Sequence, residues 1–302
     1  MSERWDIVVM LGGPSAEREV SLQSGRAVAT ALRDMGHRVS ELDPQPGEWT
    51  LPKQVDVVFL ALHGTYGEDG TIQAELEKLG VPYTGCGPAA SALAFDKVKS
   101  KEAFVAHGVP TAKFAVLSDA SAGVPDPFVA PVVLKPSCQG SSVGVEILES
   151  LENWSAKLAA VLGFGGPALV EEFIEGREIT VGVVDGKVLP IVEVRPKTGY
   201  YSYENKYTSG KTEYICPAEF ADDLTQAIGE AALQALEAVG GGMYARVDFM
   251  VRGDEFFALE VNTLPGMTAT SLLPKAAAAT GESFPQLCHR LAKLALDRGV
   301  AR

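Results

Sequence analysis

Two runs late in the chain constrain its fold more than any other stretch. Tyr244-Ala245-Arg246-Val247-Asp248-Phe249 and Leu259-Glu260-Val261-Asn262 alternate apolar and polar side chains, the period of a strand with one face on a core. Arg246 and Asp248 then share one face. Glu260 and Asn262 share another, with Leu259 and Val261 turned to the core. Arg252-Gly253-Asp254-Glu255 reads as the connection. Directly paired side chains lie on the same face of a sheet, so one polar wall requires Asp248 to stand opposite Glu260 or Ala258. A regular ladder of that parity takes a loop of odd length, most simply three residues around Gly253. Asp, Glu and Asn oxygens beside a guanidinium suit a magnesium ion that also holds substrate phosphates. The plain alternative is the solvated face of an ordinary hairpin.

The chain has 302 residues, more than one small core can cover, which implies two or three domains. Its 46% hydrophobic and 22% charged residues are ordinary for a soluble globular protein. No apolar run is long enough to span a membrane. Met1-Ser2-Glu3-Arg4-Trp5-Asp6 leads straight into a strand and is not a signal peptide. Cys86, Cys138, Cys216 and Cys288 form no CxxC pair, so neither a disulfide framework nor a zinc site is expected, and the cytoplasm is the default compartment. A net charge of −13 excludes a protein that grips nucleic acid through a basic footprint. An anionic substrate would have to be met by a few local lysines and arginines.

Strand and helix patterns alternate at the start. Trp5 to Leu11 reads as a buried strand closed by Gly12-Gly13. Val28, Ala31, Leu32 and Met35 recur at helical spacing before Gly36. Val55 to Leu62 is a second buried strand, and Thr71 to Leu79 a helix stopped by Gly80. This order predicts an open parallel sheet covered by helices. The style breaks near Asp96-Lys97. Pro131 to Pro136 and Pro167 to Ile174 read as strands, Ile179–Val184 and Val188–Val194 as a hairpin across Asp185-Gly186, and Leu224 to Val239 as an amphipathic helix. Gly199 to Thr212 has aromatic and polar residues but no apolar period, so it reads as a long loop.

Four segments carry candidate chemistry. Gly12-Gly13-Pro14-Ser15-Ala16-Glu17-Arg18-Glu19 follows a strand, where backbone N–H groups commonly hold an anion. It has no GxGxxG spacing, and an acidic residue there would attract an ammonium group. Alternatively, Glu17 and Glu19 only complement a helix dipole. His63 to Gly70 lies beyond a strand's carboxyl end, where ligands collect in such sheets. His63 is either a proton carrier or orienting donor, or a loop histidine without a role. Lys135-Pro136-Ser137-Cys138-Gln139-Gly140-Ser141-Ser142-Val143-Gly144 joins a strand-end lysine to a small-residue loop that could approach phosphate oxygens. Glu171 to Glu178 sets carboxylates around Phe173-Ile174, a surface that could take an adenine and its ribose.

Together these segments resemble the D-alanine–D-alanine ligase family of the ATP-grasp superfamily. The resemblance rests on Gly-Gly-Pro-Ser-Ala-Glu-Arg-Glu-Val-Ser (12–21), Leu-His-Gly-Thr-Tyr-Gly-Glu-Asp-Gly (62–70), Pro-Tyr-Thr-Gly (82–85) and Asp-Lys (96–97). It continues through Lys-Pro-Ser and Gly-Ser-Ser-Val-Gly (135–144), Lys-Tyr (206–207), Arg-Val-Asp (246–248) and Glu-Val-Asn-Thr-Leu-Pro-Gly-Met-Thr (260–268). Their joint order, over nearly the whole chain, is what makes it specific. Cys138-Gln139 departs from the charged pair more usual there, which bears on the phosphate loop.

The resemblance implies an α/β, three-domain ATP-grasp architecture with an N-terminal open parallel-sheet domain (1–96), a central ATP-grasp domain (97–178) and a C-terminal catalytic domain (179–302). It implies ATP-dependent ligation of two D-alanines through an acyl phosphate, for peptidoglycan precursor synthesis. Glu17, Ser141, Tyr207, Arg246 and Gly266 would be catalytic. His63, Lys206 and Ser271 would bind substrate. Lys97, Lys135, Ser142, Glu171, Phe173, Ile174 and Glu178 would bind ATP. Asp248, Glu260 and Asn262 would hold two magnesium ions, with manganese as a substitute. D-alanine and ATP are the implied partners, without nucleic acid or membrane, in a cytoplasmic homodimer. The segment from Gly199 to Thr212, which carries Lys206 and Tyr207, is expected to act as a lid. The alternatives are a ligase for another carboxylate and amine, or a nucleotide-binding regulator without turnover. The full set Arg246, Asp248, Glu260 and Asn262 argues against the regulator, because binding ATP alone needs no oxyanion-stabilising arginine.

Overall fold

The computed structural model describes residues 4–140, 143–197, 199 and 210–299. The described residues build three sheets. The first holds β1 (Asp6–Met10), β2 (Arg38–Leu42) and β3 (Val57–Leu60) in the order β2-β1-β3, all parallel. The parallel sheet expected from the strand–helix alternation is therefore present. Helix α1 (Arg18–Asp34) crosses between β1 and β2 and buries Val28, Ala31 and Leu32. Helix α2 (Thr71–Leu79) ends at Gly80, whose φ of 68° is left-handed backbone that glycine adopts without a Cβ clash. Helices α3 (Pro88–Phe95) and α4 (Lys97–Ala106) follow, the second capped by the Asp96 side chain on the N–H groups of Val98 and Lys99.

The second sheet is antiparallel, with β4 (Phe114–Leu117), β5 (Val132–Pro136), β6 (Glu146–Leu148) and β7 (Ala168–Glu172) in the order β4-β7-β5-β6. With α5 (Trp154–Leu162) it encloses its own core of Val132, Leu134, Leu158, Val161 and Val170. The third sheet contains β8 (Arg177–Val184), β9 (Lys187–Val188), β10 (Val192–Pro196), β11 (Thr212–Ile215), β12 (Tyr244–Arg252) and β13 (Glu255–Asn262). Its path runs β11-β10-β8-β12-β13, with β9 paired to β8. Helix α6 (Asp222–Ala238) packs on it through Ile228, Ala232 and Ala235, in a core that also takes Phe104 from α4. Helices α7 (Leu272–Ala279) and α8 (Phe284–Arg298) return to the first sheet, where Leu287 and Leu291 share a core with Val9 and Phe59. No described helix is long and apolar enough to cross a membrane. The expected loop from Gly199 to Thr212 joins β10 to β11, and residues 200–209 within it lie outside the described residues.

The β12–β13 hairpin corrects one expectation and bears out another. Asp248 stands opposite Glu260, as a single polar wall requires, and Arg246 opposite Asn262. The loop is not odd-numbered. Arg252 pairs with Glu255 across the two residues Gly253-Asp254, and the register shifts after Asp248, so that Phe249 faces Ala258. Leu259 is the extra residue of a β-bulge. Without it, the two-residue turn would bring Asp248 opposite Leu259 and turn the carboxylates of β13 from the wall. Leu259 was expected on the core face. It is only half-buried, and Ala258 and Val261 fill that core.

The chain start is tied to α8 by a stack of three rings. Trp5 lies 4.6 Å from His37 and 4.9 Å from His289, and the two histidines are 5.1 Å apart. The Trp5 backbone N–H donates to His37 Nδ1 at 3.3 Å, which leaves the His37 proton on Nε2, 2.9 Å from His289 Nδ1. Each link needs a neutral ring. Burial lowers the pKa of both histidines. His289 lowers that of His37 further, and Lys293, paired with Asp297, that of His289. The Asp6–Arg38 pair flanks the stack on β1 and β2. A depressed histidine pKa means that the unfolded chain binds more protons below about pH 6.5. The stabilisation is therefore present above that pH and is lost as pH falls. Urea unfolding at pH 7.5 and 5.5 is expected to show that His289→Phe gains less stability than the wild type on going from 5.5 to 7.5. Equal pH dependence in the two proteins would contradict the neutral stack.

Candidate active site

The polar wall faces a cleft between the first and third sheets. It is lined on one side by Glu17, His63 and Glu68 and on the other by Arg246, Glu260 and Asn262, with Lys97 and Gly140 between. Asp248 anchors the wall from beneath. Its Oδ1 accepts from Arg246 Nε at 2.9 Å and from Thr180 Oγ1 at 2.5 Å. Its Oδ2 accepts from Arg246 Nη2 at 3.0 Å and from Asn262 Nδ2 at 2.9 Å. Four donors occupy the roughly four lone-pair positions of a carboxylate. Asn262 is thereby oriented, because donating its NH2 to Asp248 fixes where its carbonyl oxygen lies. Lys97, the first residue of α4, bonds the Gln139 carbonyl at 2.7 Å and Glu260 Oε2 at 3.2 Å, tying the loop after β5 to the wall.

The opposite side is acidic. Glu17 is the N-cap residue of α1, but its side chain makes no cap hydrogen bond. A Cβ on Gly64 would lie 2.9 Å from Glu17 Oε2, and one on Gly140 2.4 Å from it. Two loops thus reach this carboxylate closely enough that a side chain at either glycine would displace it. Glu19 lies in the first helical turn, where the plain dipole reading applies to it. The N–H groups of Gly12 and Gly13 are taken by Ser21 Oγ (2.8 Å) and Asp43 Oδ1 (2.9 Å), so this glycine turn is closed by its own chain. His63 is buried, 3.2 Å from Ser24 Oγ. Burial, with Arg246 nearby, lowers its pKa to about 4, so at neutral pH it is an uncharged ring. Glu68 accepts the Gly64 N–H at 2.6 Å. Burial first, then the charge of Glu17, raises its pKa to about 8. A protonated Glu68 can donate a hydrogen bond as well as accept one. Sequence reasoning passed over Glu68 within its motif. The only available signal was an acid in a strand-end loop already carrying His63.

The remaining candidates divide by place. Glu171, at the end of β7, lies 2.6 Å from both Lys135 and Lys101. Burial and the Lys97 charge lower the Lys135 pKa to about 7. Phe173 and Ile174 follow directly, and Glu178 is the second residue of β8, so these three cluster where the second sheet passes into the third. Gly266 approaches Ser271, the N-cap residue of α7, whose Oγ accepts the Thr268 N–H at 3.1 Å. Ser141, Ser142, Lys206 and Tyr207 lie outside the described residues.

A parallel-sheet domain, a small antiparallel sheet and a third sheet bearing a carboxylate–amide–guanidinium wall define the ATP-grasp class of ligases. Two family models match the chain: "D-ala D-ala ligase N-terminus" over residues 37–86 and "D-ala D-ala ligase C-terminus" over 104–293. The D-alanine–D-alanine ligase of Methylacidiphilum infernorum is 42% identical over 98% of this chain and 97% of its own. That of Syntrophotalea carbinolica is 46% identical over 94% of each. The crystal structure of the Bacillus anthracis D-alanine–D-alanine ligase complexed with ATP superposes with a TM-score of 0.84 at 31% identity, covering 97% of this chain and 98% of that one. The chain belongs to the D-alanine–D-alanine ligase family, ATP-dependent ligases that form ADP.

Thr180 was not foreseen, since a threonine in a buried strand carries no signal until its neighbour is known. It is buried, and valine matches its shape. Thr180→Val is expected to lower stability by about 1.5–3 kcal/mol, the usual contribution of a hydrogen bond to a charged group, with an unchanged urea m-value. A loss below roughly 0.5 kcal/mol would mean that Thr180 does not hold Asp248.

Proposed function

We propose that this protein joins two molecules of D-alanine, using ATP, through an acyl phosphate. The observation that carries this reading is the opposed charge across one cleft. Glu17, Lys97 and Arg246 line the same cleft, which supports pairing of Glu17 with an amino acid's ammonium and of Lys97 and Arg246 with a carboxylate and a phosphoryl group. Phosphoryl transfer depends on positioning and charge neutralisation more than on covalent help from the protein. In this reading the first D-alanine binds its ammonium to Glu17, with Ser141 and Tyr207 completing the contact and His63 as a neutral orienting group. Lys97, Lys135 and Ser142 hold the phosphates. Glu171, the Phe173-Ile174 backbone and Glu178 hold adenosine. Lys206 and Ser271 hold the carboxylate of the second D-alanine.

The carboxylate oxygen of the first D-alanine takes the γ-phosphoryl group, and ADP leaves. The second D-alanine, its ammonium having first lost a proton, attacks the acyl carbon as the free amine, and the proton nitrogen then sheds is carried off by the departing phosphate. Arg246 and the Gly266 N–H stabilise the oxyanion that forms there, and phosphate departs as the peptide bond closes. Asp248, Glu260 and Asn262 are hard oxygen donors that fit magnesium. Asp248 also accepts two hydrogen bonds from Arg246, which would keep the guanidinium beside a cation held at this wall. Two magnesium ions at this wall would neutralise phosphate charge. We further propose a cytoplasmic homodimer with three domains, divided near residues 96 and 178, that supplies the dipeptide for peptidoglycan.

The test is coupled ADP release with D-alanine, L-alanine and D-lactate offered in turn. ADP release is expected with D-alanine. Glu260→Gln should lower turnover by roughly a hundredfold or more with an unchanged circular dichroism spectrum. Equal ADP release with L-alanine, or wild-type turnover by the variant at low magnesium, would overturn the reading.

A further inference from the structure

Lys101 has no place in the chemistry described so far, yet it is the most deeply buried charged side chain near the cleft, at 0% exposure. It extends from α4 to a point where β7, β13 and the segment before β4 meet. Its Nζ lies 2.6 Å from Glu171 Oε1, 2.6 Å from Thr111 Oγ1 and 3.4 Å from the Ala112 carbonyl oxygen. Thr111 donates its own hydroxyl proton to the Ala258 carbonyl at 2.7 Å, so towards Lys101 its oxygen can only accept. Two hydrogen bonds and an ion pair thus surround the amine, and the carboxylate at 2.6 Å favours its ammonium form. The Phe114 ring, 5.4 Å away, offers its face to the same charge. Burial and the Lys135 charge act to lower the Lys101 pKa. The carboxylate at 2.6 Å opposes them, and a buried Glu171 could not remain charged beside a neutral amine at no cost.

Glu171 in turn bonds Lys135 through its other oxygen at 2.6 Å. The group Lys101–Glu171–Lys135 therefore sets two amines against one carboxylate. Without Lys101, Glu171 would cancel the charge of Lys135 and leave that corner of the site neutral. We propose that Lys101 is a positioning residue of the nucleotide site, balancing Glu171 so that Lys135 presents an uncompensated positive charge to the phosphates of ATP. The inference rests on the reading of Lys135 as a phosphate ligand. It also explains how a chain of net charge −13 makes a phosphate site. The compensating charge is buried behind the site, where solvent and salt screen it least.

The experiment is calorimetric binding of ATP, ADP and adenosine, without amino acid, to the full-length protein. Adenosine serves as the internal reference, because it makes every nucleoside contact and carries no phosphate. Lys101→Met is expected to lower the ATP-to-adenosine affinity ratio by about tenfold or more, with a smaller fall for ADP. General loosening of the site would weaken all three ligands alike, and that result would overturn the proposal. The double variant Lys101→Met/Glu171→Gln removes both charges, and its ratio is expected to return to near the wild-type value. A ratio as low as in the single variant would also overturn charge balance. If Lys101→Met does not fold, the double variant decides alone by the same criterion. Lys135→Met separates the underlying reading: an unchanged ratio there would remove Lys135 from the phosphate site, and this proposal with it.

Discussion

The site depends on one extra residue in a hairpin. A two-residue turn at Gly253-Asp254 sets a register that would place Asp248 opposite Leu259. The bulge at Leu259 moves Glu260 into that position instead. Side chains alternate strictly along a strand, so a shift of one residue exchanges faces. The bulge lets the turn end keep Phe249 and Ala258 in the core while the far end aims Glu260 and Asn262 at the cleft. Everything attached to the wall follows from it. Lys97 reaches the cleft because Glu260 is there, and Asn262 is oriented because Asp248 is beside it.

Charge is distributed by depth. The surface is acidic overall, whereas the cations of the cleft are held by specific partners: Arg246 by Asp248, Lys97 by Glu260, and Lys101 and Lys135 by Glu171. Each pairing holds a cation in place at the edge of the cleft. Glu17 and Glu68 form the opposite pole. Burial, reinforced by the Glu17 charge, raises the pKa of Glu68. A cleft with an acidic end and a basic end is suited to zwitterionic amino acids that must be phosphorylated at one end only.

Much of this was legible in the sequence where a pattern is local. The span of α2, Thr71 to Leu79, follows from apolar spacing and Gly80. The buried strands β1, β3, β5 and β7 announce themselves as apolar runs. The β2 edge, Arg-Val-Ser-Glu-Leu, does not, because its residues are mostly exposed and its strand form comes from pairing with β1. Helices α3 and α4 were missed because alanines and lysines give no clear apolar stripe, and the burial of Lys101 and Lys97 is imposed by neighbours distant in sequence. The wall residues Arg246, Asp248, Glu260 and Asn262 were legible because strand alternation places them. The saturation of Asp248 was not, because Thr180 comes from another strand. The bulge was illegible for the same reason. Nothing in Ala258-Leu259-Glu260 marks it until the turn length is known.

The central claim is that this cleft transfers the γ-phosphoryl group of ATP to the carboxylate of D-alanine before the peptide bond forms. The most direct measurement follows oxygen. D-alanine labelled with oxygen-18 in its carboxylate is supplied with ATP, and the released phosphate is examined by mass spectrometry or by the isotope shift of its phosphorus resonance. An acyl phosphate leaves with the carboxylate oxygen attached, so phosphate from turnover should carry one labelled oxygen. Unlabelled phosphate formed together with labelled dipeptide would contradict the account.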